Sequence, residues 1–217
     1  MKFAIAIFVK TPGVSPLKTR LAATVGTEKA IEFYQQSLKC IINTLQNVDI
    51  TPHWAVAEKE SLDNPLWSNF NRLHTGEGGL GERQSYIYHE LLKTHDGVLL
   101  IGGDAPQISE KIIQQAMLSL EGDNENKDYV IGPANDGGYY LFGGRKPVAS
   151  EVWSSTPWSH EKTRETFIAQ LDSKPTELNS LTDVDTEEDL QTIIVEMPER
   201  KNQQQLALIN WINNSLN

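Results

Sequence analysis

Every residue from Phe3 to Val9 is apolar, the pattern of a strand buried on both faces of a sheet. The run stops at Lys10. Pro12, Gly13 and Pro16 then punctuate a loop that extends to about Arg20. Ile31, Tyr34, Leu38, Ile41, Ile42 and Leu45 recur at helical spacing and predict a helix from about Glu28 to Leu45, with Thr27 as its N-cap. Trp54 to Ala57 reads as a second short strand. Gly76, Gly78, Gly79 and Gly81 make a flexible stretch leading into a helix from about Glu82 to Lys93. Val98 to Ile101 is another buried strand, closed by Gly102 and Gly103. Ser109 caps the next helix, whose apolar stripe is Ile112, Ile113, Ala116, Met117 and Leu120.

Further along, Tyr129 to Ile131 reads as a strand, followed by a loop from Gly132 to Gly138 and a strand from Tyr139 to Phe142 antiparallel to its neighbours. A helix follows from about Glu161 to Leu171. A strand near Glu177 to Leu181 then leads into Asp183–Val184–Asp185 and a helix from Thr186. The tail from Pro198 carries Leu206, Leu208, Ile209, Trp211 and Ile212 among Gln and Asn, which predicts a C-terminal helix packed on the domain or on a partner, such as a second copy in a homodimer. The expected organisation is one domain over 1–197 and a helical appendage over 198–217.

Strands alternating with helices imply an α/β fold with a mostly parallel central sheet and helices on both faces. Ligands of such sheets sit beyond the carboxyl ends of the strands, where the strand order reverses. The unusual residues of this chain lie at those ends, after Val9, Ile101, Ile131 and Leu181.

Composition narrows the partner. A formal net charge of −10 disfavours a nucleic-acid partner, whose affinity rests on cations meeting phosphates. A small phosphorylated ligand remains compatible wherever a few cations and a metal are local. The single cysteine, Cys40, excludes an intrachain disulfide. The start, MKFAIAIFVK, has a short apolar run and no small-residue cleavage site, so a buried strand is expected there rather than a secretion signal. No apolar run reaches the ~20 residues needed to cross a bilayer. These features together predict a cytoplasmic enzyme with no membrane span.

Four segments carry candidate chemistry. Lys10, Lys18 and Arg20 place three cations in the loop after the first strand, where backbone N–H groups and side-chain cations can hold a diphosphate. The loop lacks the Gly-Lys-Ser/Thr ending of a Walker A motif and the glycines of a dinucleotide fingerprint. Asp104 follows a buried strand and the pair Gly102–Gly103. Its carboxylate is a hard oxygen ligand suited to Mg²⁺ or Mn²⁺, and the glycines permit close approach of a ligand. Asp136 lies in Asn135–Asp136–Gly137–Gly138, which reads as a ligand-facing loop or as a plain turn. Asp183 and Asp185, two residues apart, face one side of an extended segment. Either can approach a metal, with Asp185 preferred, and Asp185 or Thr186 can equally cap the following helix. Gly79, Gly81 and Arg83 read as phosphate contacts or as a helix start. Trp153 and Trp158 read as stacking platforms or as core. The five histidines show no zinc spacing.

As an ordered set, Lys10–Ala22 (KTPGVSPLKTRLA), Gly78–Gln84 (GGLGERQ), Ile101–Ser109 (IGGDAPQIS), Gly132–Gly143 (GPANDGGYYLFG) and Leu181–Leu190 (LTDVDTEEDL) resemble the bacterial family of domain-of-unknown-function 2064. Its members are provisionally labelled nucleotide-diphospho-sugar or arsenosugar-biosynthesis transferases of GT-A type. The resemblance implies a nucleotide-diphospho-sugar transferase fold and a distant similarity to small nucleotidylyltransferases. In that wider group a carboxylate after a central strand and a late Asp or Asn hold the metal, which carried over gives Asp104 and Asp185. Two features depart from the pattern: the first loop carries prolines instead of glycines, and Ala105–Pro106 follows Asp104 where a glycosyltransferase Asp-x-Asp has its second carboxylate.

The reading that unites these features is glycosyl transfer from a nucleotide-diphospho-sugar to a small acceptor, with Mg²⁺ or Mn²⁺ on Asp104 and Asp185 or Asp183. Lys18, Lys10 and Arg20 would then meet the diphosphate. Asp136, with Gly103, Gly137, Gly138 and Trp158 around it, would bind sugar or acceptor or serve as base. The alternatives are nucleotidylyl transfer from a nucleoside triphosphate and a non-catalytic nucleotide-binding module.

Overall fold

In a computed structural model describing residues 1–121 and 128–215, the chain forms seven strands, eight α-helices and two short 3-10 turns among the described residues. The strands are β1 (Phe3–Val9), β2 (Thr51–Val56), β3 (Asn71–His74), β4 (Gly97–Gly102), β5 (Tyr129–Pro133), β6 (Tyr139–Gly144) and β7 (Thr176–Glu177). The helices are α1 (Thr19–Val25), α2 (Thr27–Leu45), α3 (Leu80–Leu92), α4 (Glu110–Glu121), α5 (Ser150–Ser155), α6 (Thr163–Ala169), α7 (Glu187–Glu196) and α8 (Gln203–Ser215).

One sheet contains all seven strands in the order β3-β2-β1-β4-β6-β5-β7. β1 pairs in parallel with β2 on one side and with β4 on the other, Ile5 lying between Pro52 and Leu99. The order therefore reverses at the β1–β4 seam, where the chain steps outward through β2 and β3 and returns to β4. β6 is antiparallel to both β4 and β5. Its first residue, Tyr139, thus lies at the carboxyl edge of the parallel strands, opposite Pro133.

Side-chain alternation in β1 builds two cores. Phe3, Ile5, Ile7 and Val9 face α2 and α4, whereas Ala4 and Ala6 face α3, α5 and α6. Both faces of the strand exclude water, which accounts for its unbroken apolar run. A third cluster lies behind α2: Ala30, Phe33 and Cys40 meet Leu190 and Ile193 of α7 and Leu208 and Ile212 of α8. The apolar side of α8 is thereby buried within the chain; residues 216 and 217 of the tail lie outside the described residues.

Local details differ from the sequence pattern for identifiable reasons. α2 begins at Thr27, and its N-cap is Gly26, not Thr27. Gly26 also ends α1, and its φ of 90° lets the chain turn between two adjoining helices. α1 and α5 are too short for periodicity to reveal, and β3 is a four-residue edge strand with two exposed residues. β7 spans only Thr176–Glu177; beyond it Leu181 makes an isolated parallel bridge to Ala134. Among the described residues no helix is long and apolar enough to cross a membrane.

Candidate active site

The carboxyl edge of the sheet opens into a cavity of about 230 Å³. Its wall includes Asp104 after β4, Asp136 before β6, and Asp183 between β7 and α7. Three distant segments therefore deliver one carboxylate each to a single cavity. β4 and β5 carry two of them to the sheet edge, and the Leu181–Ala134 bridge docks the third.

Asp104 and Asp183 converge on one cation, the ammonium of Lys18. Its Nζ lies 2.6 Å from Asp104 Oδ2 and 3.2 Å from Asp183 Oδ1, and it donates to the Val184 carbonyl at 2.7 Å. Lys18 precedes α1 in the left-handed conformation, φ 42° and ψ 47°, an uncommon state for a side chain with a Cβ. The lysine side chain is 7% exposed, against 32% and 33% for the two aspartates. The cation is thus held from beneath while both carboxylates keep an open side toward the cavity. Burial opposes the lysine charge, yet the two aspartates outweigh it and hold the ammonium above the ordinary lysine range. One ammonium does not neutralise two carboxylates. Burial first, then repulsion from Asp104, push the Asp183 carboxyl up to about 7, against the pull of Lys18.

Asp185 turns elsewhere. Its Oδ2 accepts from Arg20 Nη1 at 2.7 Å, and its backbone N–H is bound by Asp189 Oδ2 at 2.9 Å in the capping of α7. The sequence reading preferred Asp185 to Asp183 as the partner of Asp104. In the structure Asp183, and not Asp185, shares Lys18 with Asp104.

Of the three cations in the first loop, Lys18 is the one that reaches Asp104 and Asp183. Lys10 is exposed at the end of β1, its backbone N–H bonded to the Tyr34 hydroxyl at 3.1 Å, and neither Lys10 nor Arg20 lines the cavity. The glycines divide by role. A Cβ at Gly102 would lie 2.6 Å from Asp104 Oδ1, so this glycine leaves room for the carboxylate. At Gly103 a Cβ would meet Leu38 at 3.0 Å and Val9 at 3.2 Å, and at Gly81 it would lie 2.2 Å from Trp158 Nε1 and 2.3 Å from the Trp153 carbonyl. Both positions are set by packing rather than by ligand approach. At Gly137, whose φ is 92°, an added Cβ would clash with the Glu161 carbonyl. Gly138 donates its N–H to Asp136 Oδ1 at 2.8 Å, which fixes that carboxylate in an Asx turn. Gly79 is the N-cap of α3, its N–H bound by Glu82 Oε2 at 3.0 Å.

Arg83 is a clamp on the backbone. Its Nε donates to the Gly78 carbonyl at 2.9 Å, and its Nη1 donates to the Ala57 carbonyl at 3.2 Å and to Thr75 Oγ1 at 2.6 Å. Of the two readings of Arg83, phosphate contact or helix start, the structure shows a side chain engaged in fastening the loops that follow β2 and β3.

The opposite wall is aromatic. Trp158 stacks on Trp153 at 6.2 Å and 10°, and meets Tyr139 edge-on at 6.1 Å. Its Nε1 donates to the Trp153 carbonyl at 2.8 Å, so Trp158 is both packed and in the cavity wall. Tyr139 and Tyr140 also line the cavity, with their hydroxyls donating to Gln84 Oε1 at 2.7 Å and to the Asn179 carbonyl at 3.0 Å. Burial holds the Tyr139 hydroxyl well above its ordinary pKa. The sequence reading missed Ser159 and His160, which stand in the same wall. Ser159 adopts φ 58°, a strained state for a serine. His160 Nδ1 accepts the Lys162 N–H at 3.1 Å, which leaves Nε2 to carry the proton of a neutral ring. A lone histidine in a loop gave no spacing by which to find it.

The donor set fits a hard divalent cation. Two carboxylates and a carbonyl oxygen already surround a positive charge, and the aspartates present an open side to the cavity. Mg²⁺ and Mn²⁺ are commonly bound by one or two protein carboxylates completed by substrate phosphates. Among the described residues no cluster of three or more His, Cys, Asp or Glu could hold a metal by itself, so such a cation would need oxygens beyond these side chains.

Residues 43–160, just over half of the chain, match the family described as "Uncharacterized protein conserved in bacteria (DUF2064)". The chain belongs to this family. A DUF2064 chain is therefore expected to share its fold with solved relatives, and it does. The provisionally assigned nucleotide-diphospho-sugar transferase of Desulfovibrio desulfuricans G20 is similar over 100% of this chain and 97% of its own, with a TM-score of 0.86 and 26% identity. The CMP:2-keto-3-deoxy-manno-octonic acid synthetase complexed with CTP is similar over 89% of this chain and 97% of its own, with a TM-score of 0.55 and 12% identity. Rv0371c of Mycobacterium tuberculosis H37Rv, in complex with manganese, covers 89% and 98% with a TM-score of 0.50 and 11% identity. The latter two show the fold alone. The nucleotide-diphospho-sugar transferase-type α/β fold expected from the sequence is thus the fold of this DUF2064 protein. No curated protein matches the sequence.

Proposed function

We propose that this DUF2064 protein is a divalent-metal-dependent transferase that takes a glycosyl group from a nucleotide-diphospho-sugar to a small acceptor. The observation that carries the reading is the convergence of Asp104 and Asp183 on one cation at the carboxyl edge of the sheet, beside the strand-order reversal. The whole-chain likeness to the Desulfovibrio protein supports a sugar-nucleotide donor. The manganese complex among the more distant relatives supports the metal.

Asp104 and Asp183 would hold Mg²⁺ or Mn²⁺, with Asp185 behind them on Arg20. When bound, the metal supplies Lewis-acid stabilisation of a leaving diphosphate. Lys18 carries the protein's own fixed charge at the same carboxylates, and its role is to offset negative charge that develops on the leaving group. Lys10 and Arg20, outside the cavity wall, serve the outer phosphate and nucleoside. Asp136 is held by the Gly138 N–H through one oxygen, and serves the sugar or acceptor hydroxyls by accepting a hydrogen bond or a proton. Trp158 and Tyr139 form an apolar wall of the kind that stacks against a sugar ring.

A second reading is nucleotidylyl transfer, favoured by the fold shared with a CTP-complexed synthetase. The same carboxylates and lysine would then face the α-phosphate of a triphosphate. Product analysis separates the two. Glycosyl transfer releases a nucleoside diphosphate. Release of pyrophosphate from a nucleoside triphosphate, with no turnover of any nucleotide-sugar, would overturn the first reading in favour of the second.

A further inference from the structure

The three aspartates of the cavity sit on separate loops, and one residue between them ties the loops together. Thr182, immediately before Asp183, is buried and has every polar atom engaged. Its backbone N–H and its hydroxyl donate to the two carboxylate oxygens of Glu196, at 2.9 and 2.7 Å. Its carbonyl accepts from Gln107 Nε2 at 2.7 Å. Its hydroxyl oxygen also accepts from Asn135 Nδ2 at 3.0 Å.

Each partner comes from a segment with a stake in the cavity. Gln107 lies three residues after Asp104, in the loop between β4 and α4. Asn135 lies one residue before Asp136. Glu196 is the last residue of α7, so the helix that begins beyond Asp183 returns its far end to fasten the loop in front of it. Gln107 Nε2 also donates to Glu196 at 3.1 Å. Both acceptors of that amide are therefore fixed, and its Oε1 is left buried without a partner. An amide that leaves its own oxygen unpaired in order to donate twice is held by its partners rather than by its own best geometry. α8 adds a further fastening, since the buried Gln205 donates to the Pro106 carbonyl at 2.9 Å.

We propose that Glu196 and Thr182 are positioning residues that set the separation of Asp104, Asp136 and Asp183 by locking their three loops through one buried hydrogen-bonded node. Neither residue lines the cavity. Both act through the aspartates, and their relevance to metal and substrate rests on the function proposed above. A network of this kind is stable only when complete, because each buried group that loses its partner bears the full cost of desolvation. Removing one member therefore loosens all three loops together.

The test is amide hydrogen exchange on the full chain, in chelator, for wild type, Glu196→Ala and the isosteric Thr182→Val. The proposal expects exchange to accelerate at least about tenfold in all three segments, 103–108, 134–138 and 182–186, while β1 and β4 keep their protection. Acceleration confined to 182–186, or spread evenly over the sheet, would overturn it. Thr182→Val changes no charge or shape, so it carries the test if Glu196→Ala does not fold. A parallel Mn²⁺ titration is expected to show affinity weakened about tenfold in Thr182→Val, with Glu196→Gln closer to wild type than Glu196→Ala. Mn²⁺ affinity that stays at the wild-type value in Thr182→Val would also overturn the positioning role. A wild-type protein that binds no Mn²⁺ would sink the metal reading, and the exchange result would still decide whether the node couples the loops.

Discussion

Lys18 Nζ and Asp104 Oδ2 stand 2.6 Å apart at the reversal point of the sheet, with Asp183 closing on the same ammonium from the other side at 3.2 Å. The pair is asymmetric in solvent. The lysine is buried beneath the site and the aspartates open toward the cavity, so the arrangement is a cation held in readiness under two carboxylates. Lys18→Met removes the positive charge that bridges the two aspartates. In chelator this variant is expected to lose about 2 kcal/mol of stability, less than a fully buried pair because the aspartates keep some water. Excess Mn²⁺ should return most of that loss. Urea unfolding with and without Mn²⁺ reads both effects, and a variant that Mn²⁺ does not stabilise contradicts the account.

The pH dependence follows from Asp183, whose carboxyl burial and Asp104 together push up to about 7. Its folded pKa lies above the unfolded value of about 3.9. In chelator, the protonated carboxyl therefore contributes stability that is complete below about pH 3.9 and is lost as pH rises through about 7. Metal binding has the opposite sign, because the metal takes the carboxylate. Mn²⁺ affinity is expected to be level above about pH 7 and to weaken toward tenfold per pH unit below it. Asp183→Asn should weaken Mn²⁺ binding throughout and remove the pH dependence that remains. Calorimetric Mn²⁺ titrations across this range check the prediction, and an affinity independent of pH between about 5.5 and 8 contradicts it.

Gly81 is a packing position. An added Cβ would meet the Trp153 carbonyl at 2.3 Å and Trp158 Nε1 at 2.2 Å, and a backbone oxygen cannot swing aside. Gly81→Ala is expected to cost about 1–3 kcal/mol through overpacking and to shift tryptophan emission as the Trp153–Trp158 stack opens. Gly13→Ala is the contrast. There a Cβ meets nothing within 4 Å but φ is 83°, so any loss is backbone strain and the emission should stay unchanged.

α8 is part of the packed structure rather than a loose tail. Leu208 and Ile212 are buried against Phe33 and Cys40 of α2, and burial pushes the Cys40 thiol up to about 12. Leu208→Ala is expected to cost about 2–5 kcal/mol and to expose Cys40 to a thiol reagent that does not react with the folded wild type. Thiol titration with and without denaturant measures it; unchanged Cys40 reactivity in a destabilised Leu208→Ala protein would place the opening elsewhere.

Much of this was legible in the sequence because buried parallel strands announce themselves. The unbroken run of β1 and the apolar residues of β4 marked the sheet, and the four loops after Val9, Ile101, Ile131 and Leu181 marked its functional edge. The edge strand β3, with two exposed residues in four, and the short helices α1 and α5, each less than two turns long, were not legible. Within the site, sequence brought Asp104, Asp136 and the Asp183–Asp185 pair to one place. It favoured Asp185, whereas Asp183 is the one that meets Lys18, because the outcome depends on where Lys18 and Arg20 reach from a loop distant in the chain. Gly81 and Arg83 read equally as phosphate contacts or as a helix start for a related reason. A glycine forced by a tryptophan and an arginine fastening two loops share the composition of a phosphate site and differ only in their long-range contacts.

The proposed site would be assembled by a metal on Asp104 and Asp183 around a nucleotide-diphospho-sugar. Calorimetric titration of nucleotide-diphospho-sugars into wild type and Asp104→Asn, each with and without Mn²⁺, tests it most directly. The account predicts binding of a nucleotide-diphospho-sugar that requires Mn²⁺ in the wild type and is lost in Asp104→Asn. Binding that is equally tight without Mn²⁺, or that survives in Asp104→Asn, would contradict it.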